Sequence, residues 1–342
     1  MSIYLIKLHF LLIMILSLNK IFNIFLKYFI YPLVFLIIVL EFSFQIIFFF
    51  DIKSLKKTIL FFNPYCDQAY WNIQGNSSYD KKIYSYHPIL TLVKKSNESL
   101  YEQNIINDKK VVFYGSSFID HEYFLPFYEE EANFAVKSYG LDQIYKSYMI
   151  TKDKFINSNV IIGFLLEDLD RAIFNQRNFP KLKFVKDNNI YELNNVPVSF
   201  RDNIKNSNHV YTYNFVKNIF FLFLNEFNYK NSECFIDDKK DIFQFFIDNI
   251  ISNSKNLNQN LIFITFNFKN DVINPNWRYS FVKDHFNSKN LNYIDMTEVI
   301  KNDQKKSNFD ISNYYNTQDF HLSEYGFNLV RKEIDLFIER YK

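Results

Sequence analysis

"VVFYGSSFIDHEYF", residues 111–124, is the stretch that decides the fold. Four apolar residues lead into a glycine and two serines, a pattern typical of a buried strand that ends in a tight turn. Asp120 and His121 follow within about one helical turn of Ser117. Ser117 therefore has two interpretations: its hydroxyl caps the following helix, or it is a nucleophile at the start of that helix, where backbone N–H groups can stabilise an oxyanion.

Further short apolar runs follow 111–114 at helix-length intervals. They are "NFAV" (133–136), "NVIIGFLL" (159–166), "LIFITFNF" (261–268) and "LNYIDM" (291–296). Their Val, Ile and Phe content and their spacing predict an α/β fold with a mostly parallel sheet of five strands. In such sheets ligands bind beyond the carboxyl ends of the strands. Residues 179–198 predict a strand–turn–strand insertion around 187–189, and residues 321–342 predict an amphipathic C-terminal helix.

The beginning of the chain has the composition of a membrane segment. Residues 28–50, "YFIYPLVFLIIVLEFSFQIIFFF", contain a single charge, Glu41, and at about 1.5 Å per residue they can cross a hydrocarbon core of roughly 30 Å. Glu41 is then expected to snorkel, to pair with another helix or to be neutral. The shorter apolar run 3–18 is either a second span or a flank. No small-residue cleavage site follows the span, which favours a retained anchor over a removed signal peptide.

The spacing of these features predicts three regions: a membrane anchor at 1–52 with its main span at 28–50, a connecting region at 53–107 and an α/β domain at 108–342. Composition excludes several functional classes. The chain of 342 residues has 39 Lys and Arg against 37 Asp and Glu, a net charge of +2, without a basic patch, so no nucleic-acid partner is expected. The six histidines have no metal-ligand spacing, and we expect neither a metal nor an organic cofactor.

Only two cysteines occur, Cys66 and Cys234, which rules out a cysteine-rich zinc module or a disulfide-dense scaffold. They either form one disulfide in an exported domain or remain two buried thiols. The glycines are also few, and four of the five lie in the candidate site loops: Gly115, Gly140, Gly163 and Gly326.

Four segments in order, "FYGSSF", "NFAVKSYGLDQ", "VIIGFLLEDLDR" and "DFHLSEYG", resemble the four ordered blocks of the SGNH, or GDSL-like, hydrolases. The resemblance runs from about residue 111 to the C terminus, and 179–198 is similar to an insertion in membrane-anchored members. It implies a three-layer α/β/α, flavodoxin-like fold. It also implies that Ser117 is the nucleophile, His321 the general base and Asp319 the acid that orients the histidine.

The resemblance also implies an oxyanion and substrate-binding side, formed here by Ser138, Gly140, Glu167 and Asp168. The sequence departs from the family at three points of this site. In the second block, where the family has a glycine that lends its N–H to the oxyanion, "AVKSYG" offers Ser138 or Gly140 as the donor. Glu167 occupies the position of an asparagine, and an ionised carboxylate there would repel an oxyanion. Three explanations are open: Glu167 is protonated, it points elsewhere, or the activity is altered. Asp319 lies two residues before the histidine instead of three, where Gln318 stands, so a Ser–His dyad assisted by Gln318 or by a carbonyl is an alternative.

By this resemblance we expect a serine-dependent esterase that acts on acyl esters, above all O-acetyl esters, of a small molecule or an envelope glycan. Its partners would be the membrane and that acylated substrate, with a single-pass anchor and an extracytoplasmic soluble domain. Two alternatives stay open: an O-acyltransferase on the same substrates, and a non-catalytic binding or assembly protein with the same fold. His121 is interpreted as a residue on the face of a helix, because a base so close on one helix rarely points at the serine proton.

Overall fold

The computed structural model describes residues 20, 22–50, 65–66, 68, 71, 79–102, 110–121, 131–188, 190–198, 211–213, 215–216, 234–318 and 320–340. The chain divides into two compact units. The first comprises Met1–Asn63 with Ser207–Phe227, and the second comprises Pro64–Asn206 with Asn228–Lys342.

The first unit contains the N-terminal apolar helix. A π-helical turn at Leu26–Ile30 leads into helix α1, Tyr31–Phe49. The helical stretch Phe22–Ile47 has 26 residues and is almost entirely exposed. At about 1.5 Å per residue it is roughly 39 Å long, so it is long and apolar enough to cross a membrane, as the sequence predicts.

The second unit contains all the strands of the described residues. They are β1 (Tyr84–His87), β2 (Thr91–Lys94), β3 (Val111–Gly115), β4 (Glu131–Asn133), β5 (Asn159–Leu165), β6 (Lys183–Asp187), β7 (Ile190–Asn194), β8 (Asn260–Phe266) and β9 (Tyr293–Asp295). Its α-helices are α2 (Glu98–Glu102), α3 (Leu141–Thr151), α4 (Asp168–Arg171), α5 (Ile236–Asn256), α6 (Lys269–Ile273), α7 (Trp277–Ser288), α8 (Met296–Ser307) and α9 (Glu324–Arg340).

Five of these strands form one sheet in the order β4-β3-β5-β8-β9, and every neighbouring pair is parallel. The predicted α/β fold with a five-stranded parallel sheet is therefore confirmed. The predicted amphipathic C-terminal helix is α9. The predicted strand–turn–strand insertion is the antiparallel hairpin β6–β7.

Two apolar clusters cover this sheet. Val112 and Tyr114 of β3 belong to one cluster, together with side chains of α3, α5 and α7. Val111 and Phe113 belong to the other, with side chains of α8 and α9. Because consecutive strand side chains point to opposite faces, the two clusters lie on opposite faces of the sheet.

The segment before the sheet also contributes to the core. Strands β1 and β2 form an antiparallel hairpin, and Leu90, Leu92 and Val93 are buried in the same cluster as Val112. Further along, Cys66 and Cys234 form a disulfide with their Cα atoms 5.7 Å apart. Of the two alternatives that the sequence leaves open, the structure has the bonded one. The bridge connects the chain before β1 to the residues just before α5.

Candidate active site

The turn that follows β3 presents Ser117 at the carboxyl end of the sheet. The carbonyl oxygen of Ser116 accepts hydrogen bonds from the N–H groups of Ile119 and Asp120, both at 3.0 Å, so a hydrogen-bonded turn begins at Ser116. Residues 116–121 form turns and bends and not the helix that the sequence predicts after Ser117. The Ser116 side chain is fully buried, whereas Ser117 is half-buried. Of the two serines, Ser117 is the one that solvent and a substrate can reach.

Close packing of two glycines fixes the position of this turn. A Cβ atom on Gly115 would lie 2.5 Å from the carbonyl oxygen of Gly163, and a Cβ atom on Gly163 would lie 2.5 Å from the side chain of Ile119. Neither glycine has a positive φ, so the requirement is one of space and not of backbone conformation. Ile119 can therefore pack directly over β3 and β5, which holds the turn down on the strand ends.

The carboxylate of Asp120 joins the turn to two other segments. It lies 2.8 Å from the ammonium nitrogen of Lys94 and accepts hydrogen bonds from the Tyr84 hydroxyl at 2.6 Å and from the Lys137 N–H at 3.0 Å. Burial, and then the Asp120 charge, raise the pKa of Tyr84 well above its ordinary value. Lys94 and Tyr84 lie in the region that the sequence predicts to be a connection, so the sequence did not predict their contacts with Asp120.

His321 lies against the turn that carries Ser117. Its ring centroid is 4.9 Å from that of Phe118 and 5.3 Å from that of His121. The backbone holds this loop in place, because the Asn316 N–H donates to the His321 carbonyl at 2.8 Å. Ser117 and His321, about two hundred residues apart in sequence, are thus brought to one edge of the sheet.

The other members of the predicted triad region are placed as follows. Asp319 lies outside the described residues. Gln318 is exposed, and its N–H donates to the Asn316 side-chain oxygen at 2.9 Å. His121 is buried, with its ring stacked 4.8 Å from that of Phe327. The contact between His121 and His321 was not part of the sequence interpretation, which treated His121 as a residue on a helix face.

The loop after β4 runs beside the Ser117 turn. The Val136 N–H donates to the Gly115 carbonyl at 3.2 Å. Ser138 has a φ of 72°, in the left-handed region that favours glycine, and its hydroxyl accepts a hydrogen bond from Asn178. Gly140 has an extended backbone, and its N–H is bonded to the Gln143 side chain at 3.3 Å. Of the two predicted oxyanion donors, Ser138 is therefore the better candidate.

Glu167 is directed at two arginines. Its carboxylate lies 3.6 Å from the guanidinium of Arg171 and 3.7 Å from that of Arg177, and its side chain is 21% exposed. Of the explanations for a carboxylate at the expected asparagine position, this geometry favours a charge that is paired away from the serine. The sequence did not predict that Arg171 and Arg177 lie at this site. It also did not predict Asn178, which follows Arg177 and donates a hydrogen bond to the Ser138 hydroxyl.

Asp168 is fully buried. Its carboxylate accepts the Leu165 N–H at 3.0 Å and pairs with Arg171. Burial raises the pKa of Asp168 to about 6, against the lowering effects of Arg171, the Ser116 hydroxyl and the Leu165 N–H. The structure therefore places Asp168 behind the end of β5, beside Ser116, where it holds the strand end and has no access to a substrate.

Buried ion pairs surround this edge of the sheet. Asp142 pairs with Lys181, and Asp170 lies 2.7 Å from the Lys239 ammonium and 2.6 Å from the Arg278 Nε. Burial raises the pKa of Asp142 to about 6. Asp142 and Asp170 thus have ion-pair partners that are 39 and 108 residues away along the chain. Among the described residues, no group of three or more metal-ligating side chains is suited to hold an ion.

No protein-family model matches this chain, and no curated protein has a significant match to it. A functional assignment therefore depends on the contacts around Ser117 and His321.

Proposed function

We propose that this protein is a membrane-anchored serine esterase of the SGNH type, with a three-layer α/β/α domain, that cleaves acyl esters and above all O-acetyl esters. The observation that carries the proposal is the contact of the His321 ring with Phe118 and His121, on the turn that presents Ser117. The sheet order and the apolar clusters on both faces support the three-layer fold.

In the proposed reaction, the Ser117 hydroxyl attacks the ester carbonyl while His321 accepts the hydroxyl proton. The tetrahedral intermediate collapses, and the alcohol leaves with that proton returned by His321. Water then attacks the acyl-serine in the same way and releases the acid. Asp319 fits the role of the group that orients His321, since a carboxylate beside an imidazole fixes its tautomer and stabilises its charged form.

The oxyanion would be held by backbone N–H groups. In the proposed site these groups belong to the Ser117 turn, which begins at Ser116, and to the Ser138 loop, which is hydrogen-bonded alongside that turn. The pairing of Glu167 with Arg171 and Arg177 reduces the repulsion that its charge would exert on an oxyanion. This pairing makes the departure from the family pattern compatible with catalysis.

The disulfide supports an extracytoplasmic position for the soluble domain. Disulfides persist in oxidising compartments and are rare in the cytosol, and Cys66 and Cys234 are bonded. The apolar helix at Phe22–Ile47 would then be the single-pass anchor. An acylated glycan of the cell envelope is the substrate class that a hydrolase held at this surface would meet, in keeping with the resemblance to anchored family members.

The departure at Glu167 favours one further candidate function. If its charge still opposes an oxyanion, the fold would serve as a non-catalytic module that binds an acylated glycan or assembles with another protein. The difference between the two functions is chemical reactivity at Ser117, because only the enzyme needs an activated hydroxyl.

The experiment uses the full chain in detergent micelles, with a small activated acetyl ester as substrate and a serine-directed phosphonate as label. We expect turnover and stoichiometric labelling, both lost in Ser117→Ala and in His321→Ala. Ser116→Ala is the matched control for the serine, and His121→Phe, which keeps a ring against Phe327, is the control for the histidine. Both controls should keep their labelling.

A folded wild-type protein that neither turns over the ester nor accepts the label would overturn the enzymatic function and favour the binding module. Labelling that persists in Ser117→Ala would place the nucleophile elsewhere. Adding a sugar with free hydroxyls separates the remaining alternatives: appearance of an acetylated sugar identifies an acyltransferase, and free acetate alone identifies a hydrolase.

A further inference from the structure

The one acidic residue of the apolar helix is bonded to a distant segment of the chain. Glu41 Oε1 accepts the Tyr211 N–H at 3.1 Å and Glu41 Oε2 accepts the Thr212 N–H at 2.8 Å. Gln45, one turn further along α1, donates to the same carboxylate at 2.8 Å. Among the alternatives for Glu41 that the sequence leaves open, the contacts favour pairing with another helical segment.

A second contact follows one turn along the same face of α1. The rings of Phe44 and Phe215 are 5.2 Å apart, and residues three or four apart on a helix share a face. Phe44 is buried, in contrast to most of the described part of this helix, and Tyr211 and Thr212 are buried as well. The segment Ser207–Phe227 belongs to the same compact unit as the apolar helix.

The depth of these contacts follows from the geometry of the span. The middle of Phe22–Ile47 lies between residues 34 and 35, so Glu41 is about 10 Å along the helix axis from the middle. Half of a typical hydrocarbon core is about 15 Å. Residues bonded to Glu41 would therefore lie inside the edge of the hydrocarbon core.

The sequence of the segment suits that environment. Residues 207–227 read "SNHVYTYNFVKNIFFLFLNEF", with Lys217 and Glu226 as their only acidic or basic residues apart from a histidine, and with the apolar run 219–224. In its described part, Tyr213 and Val216 are 67% and 59% exposed. These side chains offer apolar surface of the kind that lipid at the membrane boundary covers.

Under the proposed function, the segment is not a second crossing. The chain leaves the second unit at residue 206 and returns to it at residue 228, and in the proposed function that unit is a soluble domain held on one side of the membrane. Both ends of the segment must therefore lie on that side. An element that enters and leaves by the same side lies in the interface or re-enters the membrane.

From these contacts we propose that residues 211–213 and 215–216 belong to a second membrane-contacting element, which docks on the apolar helix through Glu41 and Phe44 and inserts the exposed side chains of Tyr213 and Val216 into the lipid interface. The inference rests on the membrane anchor of the proposed function but not on its esterase chemistry. Its partner is the lipid bilayer on the side of the soluble domain.

The test places a genetically encoded fluorescent amino acid at position 213 or 216 of the full chain, reconstituted in phosphatidylethanolamine–phosphatidylglycerol vesicles. Quenching by nitroxide-labelled lipid is compared with quenching by iodide in the water phase. We expect both positions to be quenched several-fold more by the lipid than by iodide, as at position 35 in the apolar helix. In Glu41→Ala the lipid quenching at 216 should fall, while Glu41→Gln, which keeps an acceptor oxygen, should lose less.

Lipid quenching at 35 together with iodide quenching alone at 213 and 216 would overturn this inference and leave the anchor intact. Iodide quenching at all three positions would overturn the anchor as well. Lipid quenching at 216 that is unchanged in Glu41→Ala would overturn the role of Glu41. Phosphonate labelling of Ser117, measured on the same samples, reports the esterase proposal separately.

Discussion

Replacement of Asp120 by asparagine tests whether the Ser117 turn is held by a buried charge. The Asp120 and Lys94 side chains are 7% and 9% exposed, and their charged atoms are 2.8 Å apart. Asparagine preserves the shape but leaves the Lys94 ammonium buried without its anion. Breaking a buried pair in this way costs about 3–5 kcal/mol, far more than the screened attraction of an exposed pair.

The magnitude is measured by urea unfolding of the full chain in detergent, followed by circular dichroism. We expect the free energy of unfolding to fall by about 3–5 kcal/mol and the melting temperature to fall by about 6–20 °C. The matched control is Asp248→Asn. Asp248 lies 3.0 Å from Lys289, and both side chains are nearly half exposed, so its loss should cost only about 0–1 kcal/mol.

A double variant makes the test specific to the pair. Lys94→Met combined with Asp120→Asn removes both charges, so the two costs should not add, and a coupling of about 0.5–3 kcal/mol is expected. The reasoning is refuted if Asp120→Asn costs no more than Asp248→Asn, or if the double variant is simply additive. Either result would mean that the apolar packing of the turn, and not the charge of Asp120, holds it in place.

Three further predictions concern other contacts of this domain. Because burial raises the pKa of Asp142 to about 6, the folded state binds an extra proton between about pH 4 and 6, and the free energy of unfolding falls as the pH rises through that window. Asp142→Asn should reduce this slope, measured by urea unfolding, by up to about 1.4 kcal/mol per pH unit. Equal slopes of the free energy of unfolding against pH in the variant and the wild type would contradict the prediction. Cys234→Ser should lower the free energy of unfolding by about 2–5 kcal/mol, and the wild-type chain, denatured but not reduced, should not react with maleimide; two reactive thiols would disprove the bridge. Gly163→Ala should lower the free energy of unfolding by about 1–3 kcal/mol, because the new methyl group overpacks against Ile119, and it should slow the phosphonate labelling of Ser117. Adding Ile119→Val should recover part of both losses. Unchanged stability and labelling would show that the turn can accommodate a methyl group at this position.

Much of the fold could be predicted because it follows from local patterns. The apolar runs, among them 111–114 and 159–166, are separated by segments long enough to form helices. A strand that is apolar along its whole length must be buried on both faces. The parallel sheet, the β6–β7 hairpin, helix α9 and the apolar N-terminal helix were all predicted in this way. The hairpin β1–β2 was not, because its short strands mix polar and apolar residues and give no clear period.

For the site, the sequence by itself determined which residue types stand at the strand ends: Ser117 after β3, Ser138 and Gly140 after β4, and His321 before the last helix. Only the tertiary structure decided which of them meet. It placed His321 against the Ser117 turn, buried Asp168 out of reach of a substrate, and turned Glu167 toward two arginines. The physical reason is that charge pairing and ring packing depend on distance in space. Partners such as Lys94 and Asp120, or Thr212 and Glu41, are far apart along the chain, and nothing in the sequence between them indicates that they meet.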